Sequence, residues 1–327
     1  MSSLATQDFK ANHYFKPIDL EKKPLCTFDR IIRDFSQING VKLEGASSDW
    51  LMQLAGRPIY ALDIGLNSST TAKSCVDKSA TSSFLGQIPH VEHVVFRKLK
   101  NAQSIPKDLV DHAKSYNFNV VCKPLKGGGG RNVFHTSSLS ELELKATELY
   151  RAARSICVCP FYEIANEYRI ILLNGQPELI YRKIRPTIVG DGKKTVKELM
   201  EESNLNPANF KDLQHATDLV PEAGQKLLLT WKHDQNEGAS SEFIPLPKQD
   251  EDSLATHLVN LATSASTAVR LKFGTIDLIE LADHTLKVLE VNSTVGVDHI
   301  VEQHGEEGYK KIYAIYEKAL NQLLEVG

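Results

Sequence analysis

The chain carries two hydrophobic periods in turn. Residues 27–38 (TFDRIIRDFSQI) space apolar side chains three and four apart, which predicts a helix. Residues 48–55 (SDWLMQLA) predict a second, short helix, and Pro58–Ile64 a strand. The polar stretch Asn67–Lys73 caps a predicted helix running to about Leu85. Val91–Phe96, Phe118–Pro124, residues 132–135 and Ser155–Phe161 read as strands. Between them, Pro106–Tyr116 and Ser138–Ala153 read as helices. Pro106 sits near a first turn, where its missing N–H costs little, and Ser138 with Glu141 suggests a capping box. Asn174-Gly175, between Glu167–Leu173 and Glu178–Ile184, is a two-residue hairpin signal. Thr195–Glu202 is a short helix, and the polar residues 203–250 hold one clear strand near Lys226–Trp231. Helices over Asp252–Val269 and about 306–324 close the pattern. Strands and helices follow one another without a β-α-β rhythm, which predicts an α+β protein with antiparallel sheets.

Length adds that 327 residues suffice for roughly two domains. The 38 Lys and Arg nearly balance the 41 Asp and Glu, for a net charge of −3. Such a chain has no bulk attraction to nucleic acid or to an anionic membrane, so neither is an expected partner. An anionic ligand must therefore meet a local basic site. No apolar run approaches the roughly 18 residues a membrane helix needs, and the first residues lack a signal-peptide pattern. Five cysteines, an odd number with no C-x-x-C pair, point to a reduced cytoplasmic protein without a zinc site. Cys122 and Cys159 sit in apolar runs and read as small hydrophobes.

Candidate chemistry concentrates in two segments. In Gly274–Asn292, two alternating strands flank the turn Ala282–Thr285. A hairpin centred there sets Asp277 opposite Glu290, and Glu280 opposite Lys287 as a cross-strand ion pair. Asn292, two residues past Glu290, shares its face. Two carboxylates about 5 Å apart with an amide oxygen suit a hard cation such as Mg²⁺. A solvated acidic face, or one protonated carboxyl, is the plainer alternative. The second segment is Lys123-Pro-Leu-Lys126-Gly127-Gly128-Gly129-Gly130-Arg131. Glycines let backbone N–H groups approach a phosphate, with Lys123 and Lys126 as point charges; a flexible surface turn is the alternative. A phosphate loop and a Mg²⁺ site in one chain together point to a nucleoside triphosphate.

In this order, the motifs resemble the ATP-grasp superfamily over roughly residues 67–300, nearest in type to cyanophycin synthetase and bifunctional glutathione synthetase. Asn67…Asp77-Lys78…Ile88-Pro89, the glycine segment, Lys183–Val196 and the Asp277…Glu290-x-Asn292 hairpin carry the resemblance. It implies an α+β ATP-grasp fold, with a short amino-terminal region (1–66), a nucleotide lobe (67–165) and a carboxy-terminal lobe (166–327). It implies ATP and one or two Mg²⁺ ions as cofactors. Lys78, Lys123 and the 127–130 amides would hold phosphates. The strand through Cys159 and Phe161 would read adenine, and Glu163 or Glu167 would face the ribose. Lys183 and Arg185 would act at the transferring phosphoryl group, although Arg185 stands where that type often has proline. Asp277, Glu290 and Asn292 would hold metal. The loop Leu229–Gly238 loosely resembles a substrate loop, with Lys232 and His233 as substrate-side groups or solvated ones. Val295-Gly296 replaces the family's usual proline-glycine ending, and the larger flanking modules of those relatives are not recognisable, so the chain reads as the ATP-grasp unit with a short leader. The implied reaction joins a small carboxylate to an amine through an acylphosphate, and relatives of this type commonly work as homo-oligomers. An ATP-binding protein without catalysis, or a kinase with no amine acceptor, are the other readings.

Overall fold

The computed structural model describes residues 15–46, 51–98, 104–210, 213, 216–248 and 251–325. Its chain divides into two compact units, Met1–Ser68 together with Thr294–Gly327, and Ser69–Ser293.

In the first unit, β1 (Lys16–Pro17) precedes α1 (Thr27–Asn39), and β2 (Leu43–Gly45), β3 (Leu51–Leu54) and β4 (Arg57–Tyr60) complete an antiparallel sheet in the order β1-β2-β3-β4. Phe28, Ile31, Ile32 and Phe35 bury one stripe of α1. Phe28 packs edge-on against Tyr316 of the carboxy-terminal helix Asp298–Glu325, at 5.6 Å between ring centres. That helix, counted with the second lobe in the sequence reading, thus packs with the amino-terminal segment. Of the short helix expected over 48–55, the described part, residues 51–55, is not helical. Leu51–Leu54 is a strand, turned into β4 by Ala55 and Gly56, both at positive φ. A two-residue turn of that hand joins antiparallel strands, and the local alternation buries Met52 and Leu54. Ser48–Trp50 lie outside the described residues.

In the second unit, α2 (Ser69–Val76) and α3 (Lys78–Leu85) replace the single helix expected to Leu85. Asp77 makes the break, its carboxylate accepting the Ala80 N–H at 3.1 Å as the cap of α3. Lys78 is thereby placed in the first turn of α3. Next come β5 (Val94–Arg97), α4 (Lys107–Ser115), β6 (Val120–Pro124), β7 (Phe134–Thr136), α5 (Leu139–Ala152) and β8 (Ser155–Pro160), with sheet order β5-β8-β6-β7. Then follow β9 (Ile164–Leu173), β10 (Gln176–Ile184), β11 (Thr187–Val189), α6 (Val196–Glu202), β12 (Lys226–Leu228), β13 (Ser240–Ile244), α7 (Leu254–Ala268), β14 (Phe273–Leu281) and β15 (Leu286–Asn292). Strand β13 was not foreseen. The larger sheet runs β13-β10-β9-β14-β15, and its ladders, like those of the smaller sheets, are antiparallel.

One face of the larger sheet packs Ile170, Leu172, Ile180, Ile276 and Leu278 against α7. Its opposite face carries the polar residues. The β14–β15 hairpin pairs Asp277 with Glu290 as expected, but Glu280 pairs with Leu286, and Lys287 with Ile279. A bulge at Leu289 causes the slip: Leu278 pairs with Val288, directly after Asp277 with Glu290. The extra residue turns both Val288 and Val291 to the α7 core while Glu290 stays on the polar face. The expected Glu280–Lys287 pair is absent. Glu280 instead accepts from Tyr168 Oη at 2.7 Å and Asn166 Nδ2 at 2.9 Å.

Candidate active site

Alternate residues of β9, β10 and β14 bring Glu167, Arg169, Tyr181, Lys183 and Asp277 onto one face. Asp277 is its centre and only 2% exposed. Arg169 grips it with both arms, Nε to Oδ1 at 2.6 Å and Nη2 to Oδ2 at 2.7 Å. Lys183 Nζ donates to Oδ2 of Asp277 at 3.2 Å and also to Oε1 of Glu167. Burial alone would raise the Asp277 carboxyl; the Arg169 and Lys183 cations overcome this and bring it down to about 2. Glu167 is shifted the other way, upward, because burial outweighs the help of Lys183. Arg169 was not singled out from sequence. Its signal was an alternating Glu-x-Arg in a strand otherwise built to be buried.

A second group surrounds the glycine segment. Lys78 Nζ lies 3.1 Å from Oε1 of Glu290 and donates to the Gly127 carbonyl at 2.9 Å. The Lys123 side chain, on a residue 9% exposed, has no hydrogen-bond or ion-pair partner among the described residues. His93 is buried nearby with Nε2 unpartnered, held neutral by burial first and then by the charges of Lys123 and Lys78.

The glycine segment rests on the loop 229–239. Asn236 Nδ2 donates to the Gly129 carbonyl at 3.3 Å. Gly130, at φ +62°, is so close to Asp234 that a Cβ would stand 1.6 Å from Oδ2. Asp234 has little room to retreat, since its carboxylate caps the 3₁₀ turn Gln235–Glu237 through the Asn236 N–H at 2.9 Å. Gly130→Ala is therefore expected to lift the segment off this loop. With strain of about 1 kcal/mol or more, trypsin should cut after the exposed Lys126 and Arg131 at least roughly fivefold faster than in wild type.

The remaining predicted residues are dispersed. Cys159 is buried with Val91, Val121 and Ile279. The Phe161 N–H is already donated to the Asn119 carbonyl at 3.0 Å, and its ring stacks on His135. Glu163 is exposed, whereas Glu167 belongs to the Lys183 cluster. Lys126 and Gly127–Gly129 are exposed. Arg185 is half-buried with no side-chain partner among the described residues.

The donors proposed for metal are all oxygens. Each oxygen of Asp277 faces Arg169 or Lys183, but Oδ1 takes only one bond; Glu290 meets Lys78 through Oε1, and the Asn292 amide has no partner among the described residues. Among those residues no three His, Cys, Asp or Glu side chains form a metal cage. Two carboxylates and an amide fit Mg²⁺ in its common setting, where phosphate oxygens and water complete the octahedron.

This sheet pair, with oxygen donors on one hairpin and a glycine segment on the other sheet, is the fold of the ATP-grasp ligases. D-alanine–D-alanine ligase from Bacillus anthracis superposes with a TM-score of 0.51 over 79% of this chain and 71% of its own, at 15% identity. The same enzyme complexed with ATP gives 0.50 over 80% of this chain. In sequence, the chain is 26% identical to cyanophycin synthetase from Nostoc sp. over 168 residues, 48% of this chain and 18% of that protein. It is 26% identical to the glutathione biosynthesis bifunctional protein GshAB from Streptococcus mutans over 229 residues, 64% of this chain and 28% of that one. The matches thus span less than a third of these relatives. No family model matches the chain. Among the described residues no helix is long and apolar enough to cross a membrane.

Proposed function

We propose that this chain is an ATP-dependent carboxylate–amine ligase acting on small molecules, an amino acid or short peptide among them. A substrate carboxylate oxygen attacks the γ-phosphorus of ATP and ADP leaves. The amine nitrogen of the second substrate then attacks the acyl carbon of the acylphosphate, loses a proton and expels phosphate, leaving an amide. The observation that carries this reading is the shared face of Lys183, Asp277, Glu290 and Asn292. Lys183, fixed between Glu167 and Asp277, offers its charge where the phosphoryl group passes. Asp277, Glu290 and Asn292 would hold Mg²⁺, which when bound offsets charge on the β- and γ-phosphates. Charge balance supports the reading as well. Lys78, Arg169 and Lys183 are matched by Glu290, Glu167 and Asp277, which leaves Lys123 and Arg185 for anions brought by ligands. In this reading Lys123 and the 127–130 segment take phosphates, and Glu163 is the ribose-side carboxylate, since Glu167 is committed to Lys183.

The test is phosphate release from ATP and Mg²⁺ with pooled amino acids and dipeptides, followed by mass spectrometry. An amide product, and a hydroxamate when hydroxylamine replaces the amine, are expected. ATP binding with no ADP formed on any carboxylate would select the non-catalytic reading. A trapped hydroxamate without any amide product would select the kinase.

A further inference from the structure

In the register of the larger sheet, Asp277 lies between two neighbours, Arg169 on β9 and Glu290 on β15. Its oxygens are occupied unequally. Oδ2 accepts from Arg169 Nη2 at 2.7 Å and from Lys183 Nζ at 3.2 Å, whereas Oδ1 accepts from Arg169 Nε alone, at 2.6 Å. A two-armed guanidinium contact this short, on an aspartate side chain 3% exposed, is charge-assisted and little screened by water. A divalent ion reaching Asp277 must therefore share an oxygen with the guanidinium or displace it.

Charge decides when it can do so. Arg169, Lys183, Lys78 and Lys123 bring four positive groups to this site, and Glu167, Asp277 and Glu290 bring three negative ones. A bare divalent cation would add to a surplus of positive charge in a place with little water, and is repelled. The same ion chelated by a nucleoside polyphosphate arrives in a complex of net negative charge, and the balance reverses.

We propose that Arg169 is a stand-in cation. In the nucleotide-free protein its guanidinium fills the positive role at Asp277, so the site refuses bare divalent ions and accepts them only together with a nucleotide's phosphates. Arg169 is then a positioning residue, acting through Asp277 and not on a substrate. This rests on the ligase reading above. Glu290 is matched in the same manner by Lys78 at 3.1 Å, so both metal-side carboxylates are neutralised before any ion arrives. They keep their places without one, and the ion leaves when the nucleotide does.

The experiment follows Mn²⁺, which suits the same oxygen ligands as Mg²⁺. Water-proton relaxation, which rises when Mn²⁺ is immobilised on protein, reports uptake with and without ADP, the Mn²⁺–ADP complex alone serving as the blank. Wild type should take up Mn²⁺ with ADP and bind Mn²⁺ alone at least roughly tenfold more weakly. Arg169→Gln removes the charge and one arm of the fork. Without nucleotide it should bind Mn²⁺ at least roughly tenfold tighter than wild type, and adding Asp277→Asn to it should abolish the gain. Mn²⁺ bound by wild type equally well with and without ADP would overturn the proposal. So would no gain in Arg169→Gln, the outcome expected of a residue that only braces the sheet, or a gain that survives Asp277→Asn. Should Arg169→Gln not fold, Arg169→Lys, which keeps the cation and loses the fork, takes its place: a smaller gain supports the proposal and none refutes it. If wild type takes up no Mn²⁺ even with ADP, the metal assignment beneath the ligase reading fails by itself, and the nucleotide-free comparison of the variants still judges Arg169.

Discussion

Asp277→Asn is expected to lower ATP turnover at least about 10³-fold, the upper range for removing one preorganised charged group. The loss is large because one carboxylate serves three purposes. In the proposed site it would offer an oxygen to a cation, and it fixes the Lys183 ammonium at 3.2 Å and neutralises the bidentate Arg169. Asparagine keeps the shape but leaves two buried cations with only Glu167 between them. Removing one partner of a buried ion pair costs about 3–5 kcal/mol, so a lower Tm should accompany the lost turnover. The acid limb of the stability curve should change as well. A carboxyl held at about 2 in the folded chain stabilises it fully above the unfolded value of about 3.9, and that stabilisation disappears as pH falls through 2. The variant should lack this part of the acid transition. Phosphate-release assays and thermal melts across pH check both statements; wild-type turnover in the variant would remove Asp277 from the site.

Lys183→Met is expected to lower kcat roughly 10²- to 10³-fold with a smaller change in the KM for ATP. Methionine retains the stem and loses the charge. Glu167, already shifted upward by burial, then loses its main counter-charge and should rise further. A carboxyl whose folded pKa lies above its unfolded value of about 4.3 binds a proton preferentially in the folded state. Its stabilising contribution is therefore present at low pH and lost as pH rises through the folded value. The Tm of Lys183→Met, relative to wild type, should decline as pH rises from about 5 to 7. A parallel pair of curves would show that Glu167 does not depend on Lys183.

The sequence made the larger elements legible where one physical signal dominated. Asn174-Gly175 fixed the β9–β10 hairpin, because both residues adopt the positive φ its turn requires. The apolar stripe of α1 was readable for the same reason. The pairing of Asp277 with Glu290 was legible as well, yet the register beyond it was not. A bulge changes which residues face which side without changing composition, so the Glu280–Lys287 pair looked sound on paper and does not exist. The break at Asp77 was hidden by the helical periodicity on both sides of it. Around the site, the acidic residues announced themselves by type and spacing, while the group that holds them did not. Arg169 lies 108 residues from Asp277, and only the β9–β14 ladder brings them together. Likewise, four consecutive glycines suggested phosphate, but what Gly130 most directly accommodates is the Asp234 side chain.

The loop 229–239 has an evolutionary consequence. The 229–239 excursion is held at one end by the β10–β13 ladder of the larger sheet and at the other by the separate two-stranded β11–β12 ladder, so its length can change while Lys183 and Asp277 keep their register. On the proposed function, chemistry would stay with the strands while the excursion, which borders the polar face, would be free to shape partner choice. Grafting this stretch between relatives of the same fold should transfer acceptor preference without rebuilding the machinery beneath it.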